Sequence, residues 1–189
     1  EIETGISIVE SMTRGEIDKQ ITTARAYPRI ISVFKKQAMD AGAATKFSAL
    51  EAAKAQTELA KGGLSVATIM GGALKGALSL AAAGEMELAD ASTTIVKALG
   101  TFKMEGKDAV HVADALASAA NATSMDVSDF SQAFAQGGAA AKGAGLSFDD
   151  TVNIMAKMAN QFQSGSDMGT SLKTTLAQMA HPAKKAQAE

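Results

Sequence analysis

The chain carries two histidines and twenty carboxylates but no cysteine, so any chemistry must come from imidazole, carboxylate, hydroxyl or amine groups. His111 stands three residues from both Asp108 and Asp114, which puts all three on one face of a helix. An Asp-His-Asp face can in principle hold a metal. The simpler reading is a solvated trio in which the carboxylates hold the imidazole by local hydrogen bonds, and no metal is assigned. His181 precedes Pro182 and reads as a helix-end residue. Neither histidine has an identifiable nucleophile beside it. The pairs Asp126/Asp129 and Asp149/Asp150 have acid/base composition, yet each falls where a first helical turn needs carboxylates for its orphan N–H groups and dipole. Gly137-Gly138 and Gly143-Ala144-Gly145 follow no strand and lack a G-x-x-x-x-G-K-[ST] pattern, so they read as a hinge and a C-terminal cap instead of phosphate loops. No catalytic residue, cofactor or metal ligand is assigned, and the chain reads as a non-enzyme.

The elements that position these groups are set by capping signals. Phe47, Ser48 and Glu51 have the form of a capping box with a hydrophobic staple, in which the Ser48 hydroxyl and the Glu51 carboxylate exchange bonds with each other's backbone N–H. The device recurs more weakly at Leu64-Ser65-Val66-Ala67-Thr68 and more strongly at Leu146-Ser147-Phe148-Asp149-Asp150, with Asp126 and Asp129 as an acidic version. Such repetition predicts an array of short, separately capped helices.

Apolar spacing agrees. Ile17, Ile21, Ala24, Tyr27, Ile31, Phe34 and Ala38 form one stripe of a long helix, and Pro28 predicts a kink or a new helix start near Tyr27. That stripe suggests helix pairing or a coiled coil. A capped helix over 48–61 ends at Gly62 and Gly63, which supply a left-handed cap. The next stretch, Ser65 to Ala83, is loosened at Gly71-Gly72 and ends at Gly84. Further faces follow at Leu88/Ser92/Ile95/Leu99/Phe102, at Ala109/Val112/Leu116/Ala119, at Phe130/Phe134/Gly137/Ala141, at Phe148/Val152/Met155/Ala159/Phe162 and at Met168/Leu172/Leu176/Met179. No period-two alternation argues for a strand. The predicted fold is all-α, short helices stacked as antiparallel hairpins. Its expected parts are an N-terminal helix over 1–42, a helical domain over 43–182 and a polar tail over 183–189.

Composition limits the function classes. Of 189 residues 47% are hydrophobic but only 4% aromatic, so the core is expected to rest on Ala, Met and Leu and to be modestly stable, with self-association or neighbours supporting it. Ten methionines are spread over several helices, which favours core filling over an adaptable groove. Eighteen basic and twenty acidic residues are interspersed, with no basic stripe bearing aromatics, so sequence-specific nucleic-acid binding is not expected. The start at Glu1 and the AKKAQAE end read as cut points in a longer protein, and no signal peptide is visible.

The segment Leu64 to Gly84 has only Lys75 charged and contains the G-x-x-x-G pair Gly72/Gly76. Leu64, Gly72, Lys75, Gly76, Leu80 and Gly84 therefore mark either a tightly packed buried hairpin or a conditional membrane span. A central charge costs about 2.5 to 3.5 kcal/mol on insertion scales, which favours the hairpin.

Three stretches, AGAATKFSALEAAKAQTELAKGGLS from Ala41, GAGLSFDDTVNIMAKMANQF from Gly143 and GTSLKTTLAQMAHP from Gly169, occur in an order that resembles the phage tail tape measure family. The resemblance runs from about Ala41 to Pro182. Where such proteins often show Leu-Pro-Gly and Gly-Pro, this chain has Gly71-Gly72 and Gly137-Gly138-Ala139. The resemblance implies a structural protein of the virion tail-tube lumen that sets tail length during assembly in the host cytoplasm and takes part in genome ejection. It implies tail tube protein, tail assembly chaperones and tail-tip proteins as partners, with the host envelope met after ejection. A membrane channel module for DNA delivery is the alternative it leaves open.

Overall fold

Side-chain caps at Ser48, Ser65, Asp126 and Ser147 start four of the helices, while those that follow Ala73, Glu87 and Asp108 begin without one. The structure, a computed structural model, describes residues 14–180, with side chains described from residue 28 onward. His181, Pro182, the 183–189 tail and the side chains of Ile17, Ile21, Ala24 and Tyr27 lie outside the described residues. The described residues divide into two units between Gln37 and Ala38, and helix α1 (Arg14–Ala44) supplies residues to both. Pro28 lies inside α1 without a second helix start. Ile31 is 64% exposed and Val33 is also exposed.

The second unit contains α2 (Ala49–Lys61), α3 (Val66–Thr68) running through a π-turn (Ile69–Ala73) into α4 (Leu74–Ala83), and α5 (Leu88–Phe102). A 3₁₀ turn (Gly106–Asp108) leads into α6 (Ala109–Asn121), followed by α7 (Val127–Gly143), α8 (Phe148–Met158), a second 3₁₀ turn (Ala159–Gln161) and α9 (Gly165–Ala180). Among the described residues there is no strand, and the fold is all-α. Its most extensive contacts join α7 to α9 and α4 to α6, each pair separated in sequence by another element, while α4 also packs on its successor α5 and α2 on α5.

Leu59, Ile69, Leu74, Leu80, Ile95, Leu99, Leu116, Phe130, Met155 and Met168 are fully buried and form the bulk of the core. Around them the backbones approach closely because the contacting residues are glycine. On α7 and α9, a Cβ on Gly169 would stand 2.7 Å from Ala133 Cα, and one on Gly137 would stand 3.0 Å from the Gly169 carbonyl oxygen. On α4 and α6, a Cβ on Gly76 would stand 2.5 Å from the Ala109 carbonyl carbon. Gly137 and Gly138 are both buried inside the continuous helix α7, Gly137 against α9 and Gly138 under the Phe134 ring of its own helix, and they are not the hinge that two adjacent glycines suggested.

Left-handed residues follow four of the helices. Gly63 and Gly145 take the left-handed conformation after α2 and α7, at φ 87° and 88°. After α4 and α5 it is Glu85 and Lys103 that do so, at φ 47° and 54°. Gly84 itself stays at φ −95° and donates its N–H to the Leu80 carbonyl at 2.9 Å.

Candidate functional site

The carboxylates that sequence singles out are held chiefly by backbone N–H groups. At α2 the Glu51 N–H donates to Ser48 Oγ at 3.2 Å, while the Ser48 N–H and hydroxyl both donate to Glu51 Oε2 at 2.7 Å. At α8 the Asp150 N–H donates to Ser147 Oγ at 3.1 Å, and the Ser147 hydroxyl donates to Asp150 Oδ2 at 2.6 Å. Hydrogen bonds from Ser48 and Ser147, side chain first and backbone second, hold the Glu51 and Asp150 carboxyls below their ordinary range. Both are then ionised at neutral pH, which suits a cap and not a general acid. Ser65 Oγ accepts the Thr68 N–H at 3.1 Å at the start of α3. Asp126 Oδ1 accepts the Asp129 N–H at 2.7 Å at the start of α7.

Two carboxylates act across elements. Asp129 Oδ1 accepts the Gly165 N–H at 2.9 Å, so a first-turn residue of α7 also anchors the first residue of α9. Asp149 Oδ1 lies 2.7 Å from His111 Nε2, joining α8 to α6. This corrects the reading of His111 as held by its own helix neighbours. Asp108 instead accepts the Glu105 N–H at 2.8 Å, and the partner of His111 comes from 38 residues away. The His111–Asp149 pair is more than half exposed. No three ionisable side chains among the described residues converge as a metal set.

Beside this pair, Phe148 takes part in a three-ring cluster. Phe102, Phe134 and Phe148 have centroids 5.5 to 5.8 Å apart, and Lys142 Nζ lies 5.7 Å from the Phe102 ring. A groove of about 310 Å³ runs between α6 and α8, walled by Asp149, Val152 and the small residues Ala115, Ala119 and Ala156. A second, of about 300 Å³, lies beside the α2 cap, between Phe47, Glu51 and Ala55 on one side and Met86 and Leu88 on the other. Neither groove brings a nucleophile against a base.

The remaining sequence-marked residues sit in the apolar segment. Val66–Ala83 is long and apolar enough by length and composition to cross a membrane. In the fold Leu74, Gly76, Ala77, Leu78, Leu80 and Ala81 are buried, Lys75 faces outward, Leu64 is half-buried, and Gly84 lies against Val127. Met125, Met155 and Met168 are buried in the core, whereas Met39 and Met179 are exposed.

Capped helices crossing on glycine, with the distinctive carboxylates given over to backbone and to one imidazole, define an all-α structural module. A family model described as phage-related minor tail protein matches residues 35–189. The chain is 39% identical over 150 residues to the tape measure protein of Pneumococcus phage Dp-1, a match covering 79% of this chain and 13% of that protein. It is 28% identical over 156 residues to the probable tape measure protein of Escherichia phage P2, covering 82% of this chain and 19% of that one. No solved structure matches it. The chain belongs to the phage tail tape measure family. It spans less than a fifth of the length of either curated relative.

Proposed function

We propose that this chain is a compact helical segment of a tape measure protein that sets tail length during assembly and takes part in genome ejection, and that the segment itself does no catalysis. The observation behind the compact part of this reading is the interruption of the helices. Separate caps at Ser48, Ser65, Asp126 and Ser147, with left-handed turns at Gly63, Glu85, Lys103 and Gly145, break what a ruler needs as one continuous rod. Tail tube protein, tail assembly chaperones and tail-tip proteins are the partners, with self-association of the segment and no sequence-specific contact to DNA. Its place is the tail-tube lumen of the virion, reached from the host cytoplasm.

An in-frame duplication of residues 43–182 in the parent gene tests the role. As continuous helix those 140 residues add about 210 Å at about 1.5 Å per residue. As a compact body they measure about 40 Å across. Electron micrographs of the resulting tails are expected to show lengthening of at most about 40 Å on that estimate. Tails longer by about 210 Å would show the segment to be ruler, and overturn the compact reading.

A further inference from the structure

The π-turn Ile69–Ala73 is the one place where an otherwise helical, predominantly apolar run of 18 residues, Val66–Ala83, bends. Gly72 produces it, at φ 142° and ψ −14°, a backbone state that side chains rarely adopt. The bend is filled from outside by the turn that starts α6. A Cβ on Gly106 would overlap the Thr68 carbonyl, one on Gly72 would stand 2.6 Å from the Gly106 carbonyl oxygen, and one on Gly76 would stand 2.5 Å from the Ala109 carbonyl carbon. Thr68, Gly72 and Gly76 thus meet residues 106–109 backbone to backbone, and Gly106 is buried there. Gly71, next to the bend, has open space around it and is exposed.

From this geometry we propose that Gly106 seated in the Thr68–Gly76 bend is a latch on a two-state helix. With Gly106 seated, the apolar segment is bent at Gly72 and packed. With it withdrawn, Gly72 returns to helical φ and Val66–Ala83 becomes one continuous helix. Two features support a second state of that form. The bend has a single residue outside helical geometry, so straightening needs one local rotation. The residues on both sides are already helical, in α3 and α4, so the straight form extends existing hydrogen bonding instead of nucleating anew. The inference concerns conformation alone and holds whatever the segment does in a tail.

The chain has no cysteine, so paired labels can be placed without background. Val66→Cys and Ala83→Cys, both exposed positions, take spin labels for distance measurement. Their backbones lie about 26 Å apart in a continuous helix, and closer when bent. Gly106→Ala and Gly72→Ala are expected to raise the long-distance population about five-fold or more with helicity retained, since a methyl at 106 overlaps the Thr68 carbonyl and unseats the latch, while alanine at 72 fits the straight helix and not the bend. Gly71→Ala, which meets nothing, is expected to keep the short distance. Warming the otherwise unsubstituted labelled chain should populate the long distance before helicity falls, so the test does not depend on variants that fold. An unchanged short distance in both variants and on warming overturns the latch. So does a broad distribution that appears only together with lost helicity.

Discussion

The close crossing of α7 and α9 makes a prediction whose sign depends on geometry alone. Gly169→Ala places a methyl 2.7 Å from Ala133 Cα and 2.8 Å from Gln136 Cβ, and its nearest neighbours are backbone, which cannot rotate away. Overpacking of this kind costs about 1 to 3 kcal/mol. The same change gains up to about 1 kcal/mol of helix propensity. Gly100→Ala on α5 carries the propensity gain without the clash, because nothing lies within 4 Å of its Cβ. The difference between the two variants removes the shared term and leaves about 1 to 3 kcal/mol. Gly137→Ala should fall between them: its methyl meets the Gly169 carbonyl oxygen at 3.0 Å, but its next neighbour is the movable Leu172 side chain at 3.2 Å. Urea unfolding followed by circular dichroism gives the three free energies. For a unit of the size of 38–189, each kcal/mol corresponds to about 2 to 4 °C in melting temperature. If Gly169→Ala proves as stable as Gly100→Ala, the helices do not approach as closely as described and the role given to glycine fails.

The other expectations rest on the caps and the core. Ser48→Ala and Ser147→Ala should each cost about 1 kcal/mol in the same urea experiment, while the exposed Ser32→Ala, outside any capping box, should cost clearly less. Glu51 and Asp150 have folded-state carboxyls lowered from ordinary values of 4.5 and 3.8, so their stabilising effect is complete above those values and is lost as pH falls through the lower folded-state ones. Melting temperature should accordingly be level near neutrality and decline in acid, with a shallower decline in the Glu51→Gln/Asp150→Asn double variant. Phe130, the largest fully buried side chain, should cost about 3 to 5 kcal/mol when changed to Ala, measured against the exposed Leu50→Ala as control.

Local rules explain why the caps were readable from the residues and several of their consequences were not. Ser48 with Glu51 and Ser147 with Asp150 are three residues apart, and a helix start brings them together whatever the remaining chain does. Apolar spacing of three and four residues is equally local, and it carries the helix faces and the all-α class. His111 with Asp149 and Asp129 with Gly165 are separated by 38 and 36 residues, and only the packing of α6 on α8 and of α7 on α9 makes them neighbours. Capping had already assigned a use to Asp149 and Asp129, so nothing in their spacing asked for a distant partner. Glycine was ambiguous in another way. Gly71-Gly72 and Gly137-Gly138 look alike in sequence, yet the first pair bends its helix and the second lets another helix approach. Glu85 and Lys103 carry no residue-type signal for the left-handed turns they make.

The same small residues set the balance between specificity and stability. An alanine or glycine at a crossing removes little apolar area from water, and burial is worth about 25 cal/mol per Å². It does hold two backbones at one separation and one register, because any larger side chain is excluded. Bulky burial comes from other side chains, from Ile69, Leu74 and Leu80 beside the α4 crossing, from Phe130, Leu116 and Ile95, and from the Phe102–Phe134–Phe148 cluster. Around Thr68, Gly72, Gly76 and Gly106 the contact is backbone on backbone, so its geometry is tightly specified while its contribution to hydrophobic burial is low. A region of that kind opens at lower free energy than the aromatic centre. Hydrogen exchange should therefore rank the amides of Ile69–Ala73 as less protected than those of Ile95–Leu99, and equal protection would show that the two regions unfold only together.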